Sequence, residues 1–175
     1  MKNIVTLSFL VLLLTTSFAG AMATGESPKC EKCGMDRTAF AHSRMVVIYA
    51  DGTTVGTCSL HCAAEELRQN RDKPVRSLMV ADYSTKELVD AGSATWVVGG
   101  KRHGVMTALA KWAFAKTEGA RSFVSENGGE VTPFDQALKA ATLEILAQAA
   151  EEREVAGEML REQQTGVAVH RALPE

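Results

Sequence analysis

Met45-Val46-Val47-Ile48-Tyr49-Ala50-Asp51-Gly52-Thr53-Thr54-Val55-Gly56-Thr57-Cys58-Ser59-Leu60-His61-Cys62 is the stretch from which the fold can be read. Two β-rich runs flank an Asp-Gly pair, which supplies the positive φ that tight hairpin turns need. The second run delivers Cys58 to its end, and Ser59 stands where a helix N-cap belongs. A helix is expected over residues 60–70, with Ala63, Ala64 and Leu67 inward. Cys62 falls in its first turn, where the helix dipole and free amides favour a thiolate.

Working outward, residues 77–81 read as a strand and 82–92 as a polar link with room for a short helical turn. A second unit of the same kind follows. Thr95-Trp96-Val97-Val98 is a strand and Gly99-Gly100-Lys101-Arg102-His103-Gly104 a turn, with Val105-Met106 leading outward. Residues 108–114 are apolar and read as a helical turn or a strand lead-in. A helix over 117–127, capped by Thr117, turns Ala120, Phe123 and Val124 inward and stops at Asn127-Gly128-Gly129. Residues 130–132 form a short strand. The expected fold class is therefore α+β: two small ββαβ-like units with antiparallel sheets, at about residues 30–82 and 93–133, followed by a C-terminal helix. The halves share the order of elements and no convincing sequence identity. The final helix, over 134–162, places Leu138, Ala141, Ile145 and Ala149 on one stripe. Its Glu- and Arg-rich second half reads as a solvated or partner-seeking face. Residues 163–175 read as a disordered tail.

The chain has 175 residues, is 46% hydrophobic and carries a formal charge of −2. That balance gives no overall electrostatic footprint for phosphates, so no nucleic-acid partner is expected. Residues 1–23 have the form of a signal peptide: Lys2, an apolar stretch over 4–18, and Ala21-Met22-Ala23 as the cleavage site. The apolar stretch is shorter than the ~20 residues that span a bilayer. The expectation is an exported protein, periplasmic or extracytoplasmic, with its folded domain beginning near residue 24 and running to about 140. The leader has no Leu-x-x-Cys lipobox, which leaves an uncleaved leader as the route to a membrane anchor.

All four cysteines lie in two clusters, Cys30-Glu31-Lys32-Cys33-Gly34-Met35 and Cys58-Ser59-Leu60-His61-Cys62. Four thiolates at such spacings suit a structural zinc site, and export makes disulfides an alternative. Thioredoxin-like redox chemistry is the weakest reading, because this Cys-x-x-Cys precedes every expected strand instead of following one. Met35 shifts the balance, since thiolate and thioether together are soft donors that favour Cu(I) over zinc. Met106 and His103, at the second turn, extend that candidate set. His61 is either a fifth ligand or a helix-surface residue, and His42 reads as a loop residue. Glu65-Glu66 and Glu151-Glu152 read as helix-surface carboxylates, and Gly99-Gly100 lacks the phosphate-loop pattern. No catalytic constellation competes, so the expectation is a binding protein and not an enzyme.

The sequence resembles the NosL family, the copper-binding accessory proteins of nitrous oxide reductase maturation. The resemblance rests on Cys30-x-x-Cys33-Gly34-Met35, the Asp51-Gly52 hairpin leading to Cys58-Ser59-Leu60-His61-Cys62, and Val80-Ala81-Asp82-Tyr83. It continues through Trp96-Val97-Val98-Gly99-Gly100, Gly104-Val105-Met106-Thr107, Ala113-Phe114-Ala115, Ala120-x-x-Phe123, Asn127-Gly128-Gly129 and Phe134-x-x-Ala137-Leu138. It implies a small α+β fold and a Cu(I) site in which Cys33 and Met35 are the best ligands, with Cys30 beside them. Met106 and His103 would come from the second unit. It also implies delivery of copper to an exported cuproenzyme, nitrous oxide reductase in denitrification, with a copper donor or a membrane maturation partner upstream. Two features depart from the family's pattern: the missing lipobox, and the extra thiols of Cys58 and Cys62. Those two are expected to add copper ligands, to form a disulfide, or to make a zinc or sensor-like knot. The competing functions are a structural zinc or disulfide module that docks a protein partner through the last helix, and a thiol-disulfide oxidoreductase.

Overall fold

In the computed structural model, residues 27–171 are described, with side chains through residue 163. The leader expected over residues 1–23 and the last residues of the expected tail lie outside the described residues. Ten elements follow in order: β1 (Met45–Tyr49), β2 (Thr54–Thr57), α1 (Leu60–Gln69), β3 (Val75–Ala81), β4 (Leu88–Asp90), β5 (Thr95–Val98), β6 (Lys111–Phe114), α2 (Thr117–Asn127), β7 (Glu130–Thr132) and α3 (Phe134–Arg171).

The strands form two antiparallel sheets, ordered β2-β1-β3-β4 and β6-β5-β7. In each unit the first strand is central, its hairpin partner lies on one side, and the strand after the helix lies on the other. The two ββαβ units are thus topological copies, with β4 added to the first. The Asp51-Gly52 turn forms as its chemistry dictates. Gly52 takes φ +88°, and the Asp51 carboxylate accepts the Thr53 N–H at 2.8 Å, which sets Ile48 opposite Thr54.

Three local expectations are corrected and one open alternative is resolved. The link at 82–92 contains a strand, β4, closed by a turn around Asp82. The Asp82 carboxylate accepts the amides of Ser84 at 2.8 Å and Thr85 at 2.7 Å, and the backbone bonds Lys86 N to Asp82 O and Asp82 N to Glu87 O complete the hairpin. Three residues are too few for an alternation to be visible in the sequence. Residues 111–114 form a strand buried along its whole length. Lys116, not Thr117, is the N-cap of α2, and neither it nor Ser59 of α1 makes a side-chain capping bond. The last helix also continues to Arg171, past the end expected at residue 162.

One apolar layer, containing Met45, Val47, Tyr49, Leu60, Ala63, Val80 and Trp96, is closed by Ala137, Ala141 and Ile145 from the first half of α3. Small alanines let α3 sit close against α1. A second layer packs Cys30, Cys58 and Cys62 of the first unit against Val97, Trp112, Phe114 and Phe123 of the second. The units are stitched at the end of β3: the Tyr83 amide donates to Ala113 O at 2.8 Å, and the Ala115 amide donates to the Asp82 carboxylate at 2.7 Å. The thiols therefore lie at the seam.

The Gly99-Gly100 turn is docked on the end of α2. The Lys101 amide donates to Asn127 O at 2.8 Å, and Gly100 has φ +93° with the carbonyl oxygens of Asn127 and Gly128 each 2.8 Å from where a Cβ would be. Gly100→Ala meets both a forbidden conformation and two rigid backbone oxygens, and is expected to cost about 2–4 kcal/mol. Gly52→Ala, with open space around it, meets only the conformational penalty of about 1–2 kcal/mol. Urea unfolding midpoints of the two variants check the difference.

Candidate metal centre

The sulfurs of Cys30, Cys33, Cys58 and Cys62 all lie within 4.8 Å of one another. Cys33 Sγ is 3.5 Å from Cys58 Sγ, and Cys58 Sγ is 3.7 Å from Cys62 Sγ. A disulfide needs about 2.05 Å, and all four cysteines are free. Four thiolates each about 2.3 Å from one central ion would stand about 3.8 Å apart. The observed spacing fits an ion coordinated by sulfur without rearrangement of the backbone.

Two elements build this geometry. Residues 30–35 form a tight loop in which the Cys30 amide donates to Met35 O and the Gly34 amide to Cys30 O, both at 2.8 Å. Gly34 has φ +76° with nothing near its missing Cβ, so the turn alone requires glycine there. The end of β2 and the first turn of α1 supply the other pair: one residue separates Cys58 from the helix, and Cys62 is its third residue. The four-residue spacing brings both sulfurs to the same side.

The loop is fastened to that scaffold. Its Glu31 amide donates to Gly56 O at 3.0 Å, and the Glu31 carboxylate accepts the Gly56 N–H at 2.8 Å. Lys32 Nζ reaches Glu66 Oε2 of α1 at 3.2 Å and also contacts Gln69. Glu66 is buried, contrary to the surface position expected for it, and accepts the Tyr49 hydroxyl at 2.8 Å. Beneath the loop lies Arg37, 3% exposed. Its guanidinium donates to Ser27 O at 2.8 Å, Thr57 O at 3.2 Å and Met45 O at 3.1 Å. A Cβ at Gly56 would stand 2.5 Å from Arg37 Nη1, which explains the glycine in an otherwise β-branched strand. Neither Arg37 nor Glu66 was legible as part of the site, because a lone charged residue reads as solvated until its partners are known.

The thiols are not equivalent. Hydrogen bonding from Cys62, with further help from Cys33, Ser59 and Cys30, outweighs burial and pulls the Cys58 pKa down to about 6. Burial pushes Cys33 up to about 11, and Cys62 is raised because its proton is held against Cys58. Among Cys33, Cys58 and Cys62, the cluster thus favours ionisation at Cys58. That is a soft nucleophilic site in an apolar layer, suited to a soft cation of low charge.

The remaining sequence candidates fall in three places. Met35 packs against the thiol layer, half-buried. Met106 is 42% exposed at φ +61°, while the adjacent Val105 packs in the same layer as the thiols. His103 is exposed and lines a separate cavity with His42 and Trp112. His61 is buried, not on the helix surface as expected; its Nδ1 has no hydrogen-bond partner, and burial pushes its pKa down. The convergent group among the described residues is the four thiols. The loop bearing Met106 is fixed to α3 by Glu144, whose carboxylate receives Lys111 Nζ, the Thr107 hydroxyl and the Leu109 amide, the last at 3.0 Å.

No curated protein matches the chain. A solved structure does, that of the copper chaperone NosL from Shewanella denitrificans, at 21% identity and a TM-score of 0.50, covering 61% of this chain and 87% of that one. At that identity the match speaks for the α+β fold. The NosL family profile matches residues 21–142, which takes in both ββαβ units, all four thiols and the start of α3. The chain belongs to the NosL family.

Proposed function

We propose that this protein is an exported copper chaperone that carries Cu(I) on a cluster of cysteine thiolates and passes it to a cuproenzyme. The observation that supports this most is the convergence of four free sulfurs within 4.8 Å, beside a half-buried thioether, in a member of the NosL family. Cu(I) accepts two to four soft ligands and exchanges between them readily, so Cys30, Cys33, Cys58 and Cys62 offer more thiolates than it needs. Cys33 is half-buried while the other three are buried, which provides an edge for an acceptor's thiol or thioether. Met35 lies at that edge. Met106, exposed beside Val105 of the thiol layer, is the outer ligand of the proposal, engaged as copper leaves, whereas His103 lies apart in a basic cavity. The reading needs no catalysis by the protein: copper is its cargo, and nitrous oxide reductase is the proposed recipient.

A structural zinc site is the second reading, favoured by the same sulfur spacing. Four thiolates around Zn²⁺ would leave two net negative charges in a buried apolar layer, which is costly without nearby donors. Cu(I) needs only two of the four sulfurs ionised, which leaves one, with the other two thiols neutral around it.

Competition against a chromophoric Cu(I) chelator under anaerobic conditions tests the proposal. Met35→Leu preserves volume and removes the thioether, and is expected to weaken Cu(I) by roughly tenfold, about 1.4 kcal/mol. Unchanged affinity in both Met35→Leu and Met106→Leu would remove the methionines from the account. Tight zinc that Cu(I) does not displace would favour the structural reading.

A further inference from the structure

A second site, unrelated to the thiols in chemistry, is lined in part by Tyr83 and Trp112 of the layer that packs against them. We propose that the cavity between the β3–β4 turn and the β5–β6 turn binds an organic oxyanion, a phosphate or carboxylate carried on an apolar body.

The cavity has a volume of about 510 Å³ and is lined by Lys86, Lys101 and Arg102 together with rings of His42, Tyr83 and Trp112. No carboxylate is among its lining residues. None of the three cations is ion-paired with a carboxylate among the described residues. The Lys86 ammonium is engaged by the carbonyls of Tyr83 and Ser84, the latter at 3.1 Å. The chain as a whole is nevertheless slightly acidic, so three cations without a carboxylate partner around one cavity are a local choice of the fold and not an effect of composition. Three like charges in one cavity repel, and an anion relieves that repulsion.

The cations are held in place by backbone geometry. Lys86 has φ +67°, a left-handed conformation that costs a non-glycine residue energy, within the turn fixed by the Asp82 carboxylate. Lys101 and Arg102 follow the Gly99-Gly100 turn that is docked on the end of α2. Arg102 is aimed by the Tyr83 hydroxyl, which accepts from Nη2 at 2.8 Å and Nε at 3.2 Å. A guanidinium held on one edge still presents donors on the other, in the fork that suits phosphate and carboxylate. One turn comes from each unit, so the cavity exists only when the two units are joined.

The floor is aromatic. His42 lies 5.3 Å from Trp112 and 5.6 Å from Tyr83 between ring centroids, and Tyr83 lies 5.2 Å from Trp112. A bare inorganic anion would use the cations and leave this floor unused; an apolar body attached to the anion would cover it. Two histidines line the cavity, but it does not suit a metal cation: after burial, the nearby Lys86 and Arg102 charges help depress the His42 pKa. That field repels a cation.

The test is an NMR titration of the metal-free, reduced protein with phenyl phosphate, following the two indole N–H resonances. Trp112 lines the cavity, whereas Trp96 donates to Ala91 O at 2.9 Å in the other apolar layer and serves as the internal reference. The expected result is a saturable shift of Trp112 alone at low-millimolar phenyl phosphate, tighter than inorganic phosphate and weakened by salt. Lys86→Gly relieves the left-handed backbone and Arg102→Gln keeps a polar chain of similar length. Their combination is expected to weaken phenyl phosphate by about tenfold or more while leaving Cu(I) affinity unchanged. Equal shifts at Trp96, no saturation, or full affinity in the double variant would overturn the proposal. Equal affinity for inorganic and phenyl phosphate would overturn the role of the aromatic floor. Binding to anionic phospholipid vesicles without binding of soluble phenyl phosphate would replace it with a membrane surface. None of these outcomes bears on the thiol site, so the two proposals fail separately.

Discussion

Replacing Cys58 by serine is expected to lower Cu(I) affinity by ~10³-fold or more, about 4 kcal/mol, with little change in the stability of the metal-free fold. Cys58 is the sulfur nearest to both neighbours, 3.5 Å from Cys33 and 3.7 Å from Cys62, and the one whose ionisation the cluster favours. Serine keeps the shape but offers a hard, neutral donor that does not ionise in this range, so the site loses its thiolate and its geometric middle. Cys30→Ser and Cys62→Ser are expected to lose less, because three sulfurs including Cys58 remain. Competition titration measures the affinities, and thermal unfolding of the metal-free variants shows whether folding is spared. If Cys58→Ser bound Cu(I) as the wild type does, copper would have to sit among Cys30, Cys33 and Cys62 without Cys58.

Glu144→Ala is expected to destabilise the fold by about 3–5 kcal/mol, because it strands a buried ammonium. Lys111 sits in a fully buried strand with its side chain 1% exposed, and Glu144 is its charged partner. The same carboxylate holds Thr107 and the Leu109 amide, so its loss also frees the loop that carries Met106. Pairing Glu144→Leu with Lys111→Met is expected to recover much of the stability, since an apolar pair has no charge to desolvate. Urea denaturation of the single and double variants checks both statements. Burial alone would raise the Glu144 pKa, but Lys111, Thr107 and the Leu109 amide outweigh it and hold the carboxyl below its ordinary range. A depressed acid contributes stability that is complete above its unfolded pKa and lost as pH falls through the folded one. The gap between wild type and Glu144→Gln should therefore narrow on acidification below the ordinary glutamate range.

The sequence carried the fold well wherever local chemistry and period agreed. The Asp51-Gly52 hairpin, the apolar stripes of α1 and α2 and the Asn127-Gly128-Gly129 stop each have one dominant local cause. It carried β4 poorly, because a three-residue strand is defined by the Asp82 turn and by its pairing with Val80 and Ala81. The thiols were legible as a site from their spacing, yet the reading that gave Cys33 and Met35 priority left Cys58 and Cys62 unexplained. Their role depends on a contact between distant segments, 25 residues apart for Cys33 and Cys58, which no periodicity encodes. The supports were hidden for the same reason. Arg37, Glu66 and the Lys111–Glu144 pair look like ordinary surface charges until the chain brings their partners to them. His103 and Met106 were placed together by a turn, and the fold separates their surroundings: His103 faces the basic cavity, whereas Met106 stands exposed beside a residue of the thiol layer.

On the proposed function, the four thiols act as one carrier for a single Cu(I). It is tested most directly by loading the anaerobic protein with one equivalent of Cu(I) and mapping alkylation of each cysteine by mass spectrometry, with native mass spectrometry for the metal count. Alkylation is carried out in urea, because Cys30, Cys58 and Cys62 are buried in the fold. The expected result is one copper per chain and slower reaction of Cys30, Cys33, Cys58 and Cys62 together in the copper-loaded protein than in the metal-free one. Copper bound with Cys58 and Cys62 reacting as fast as in the metal-free protein, or a zinc ion retained in its place, would contradict the proposed function.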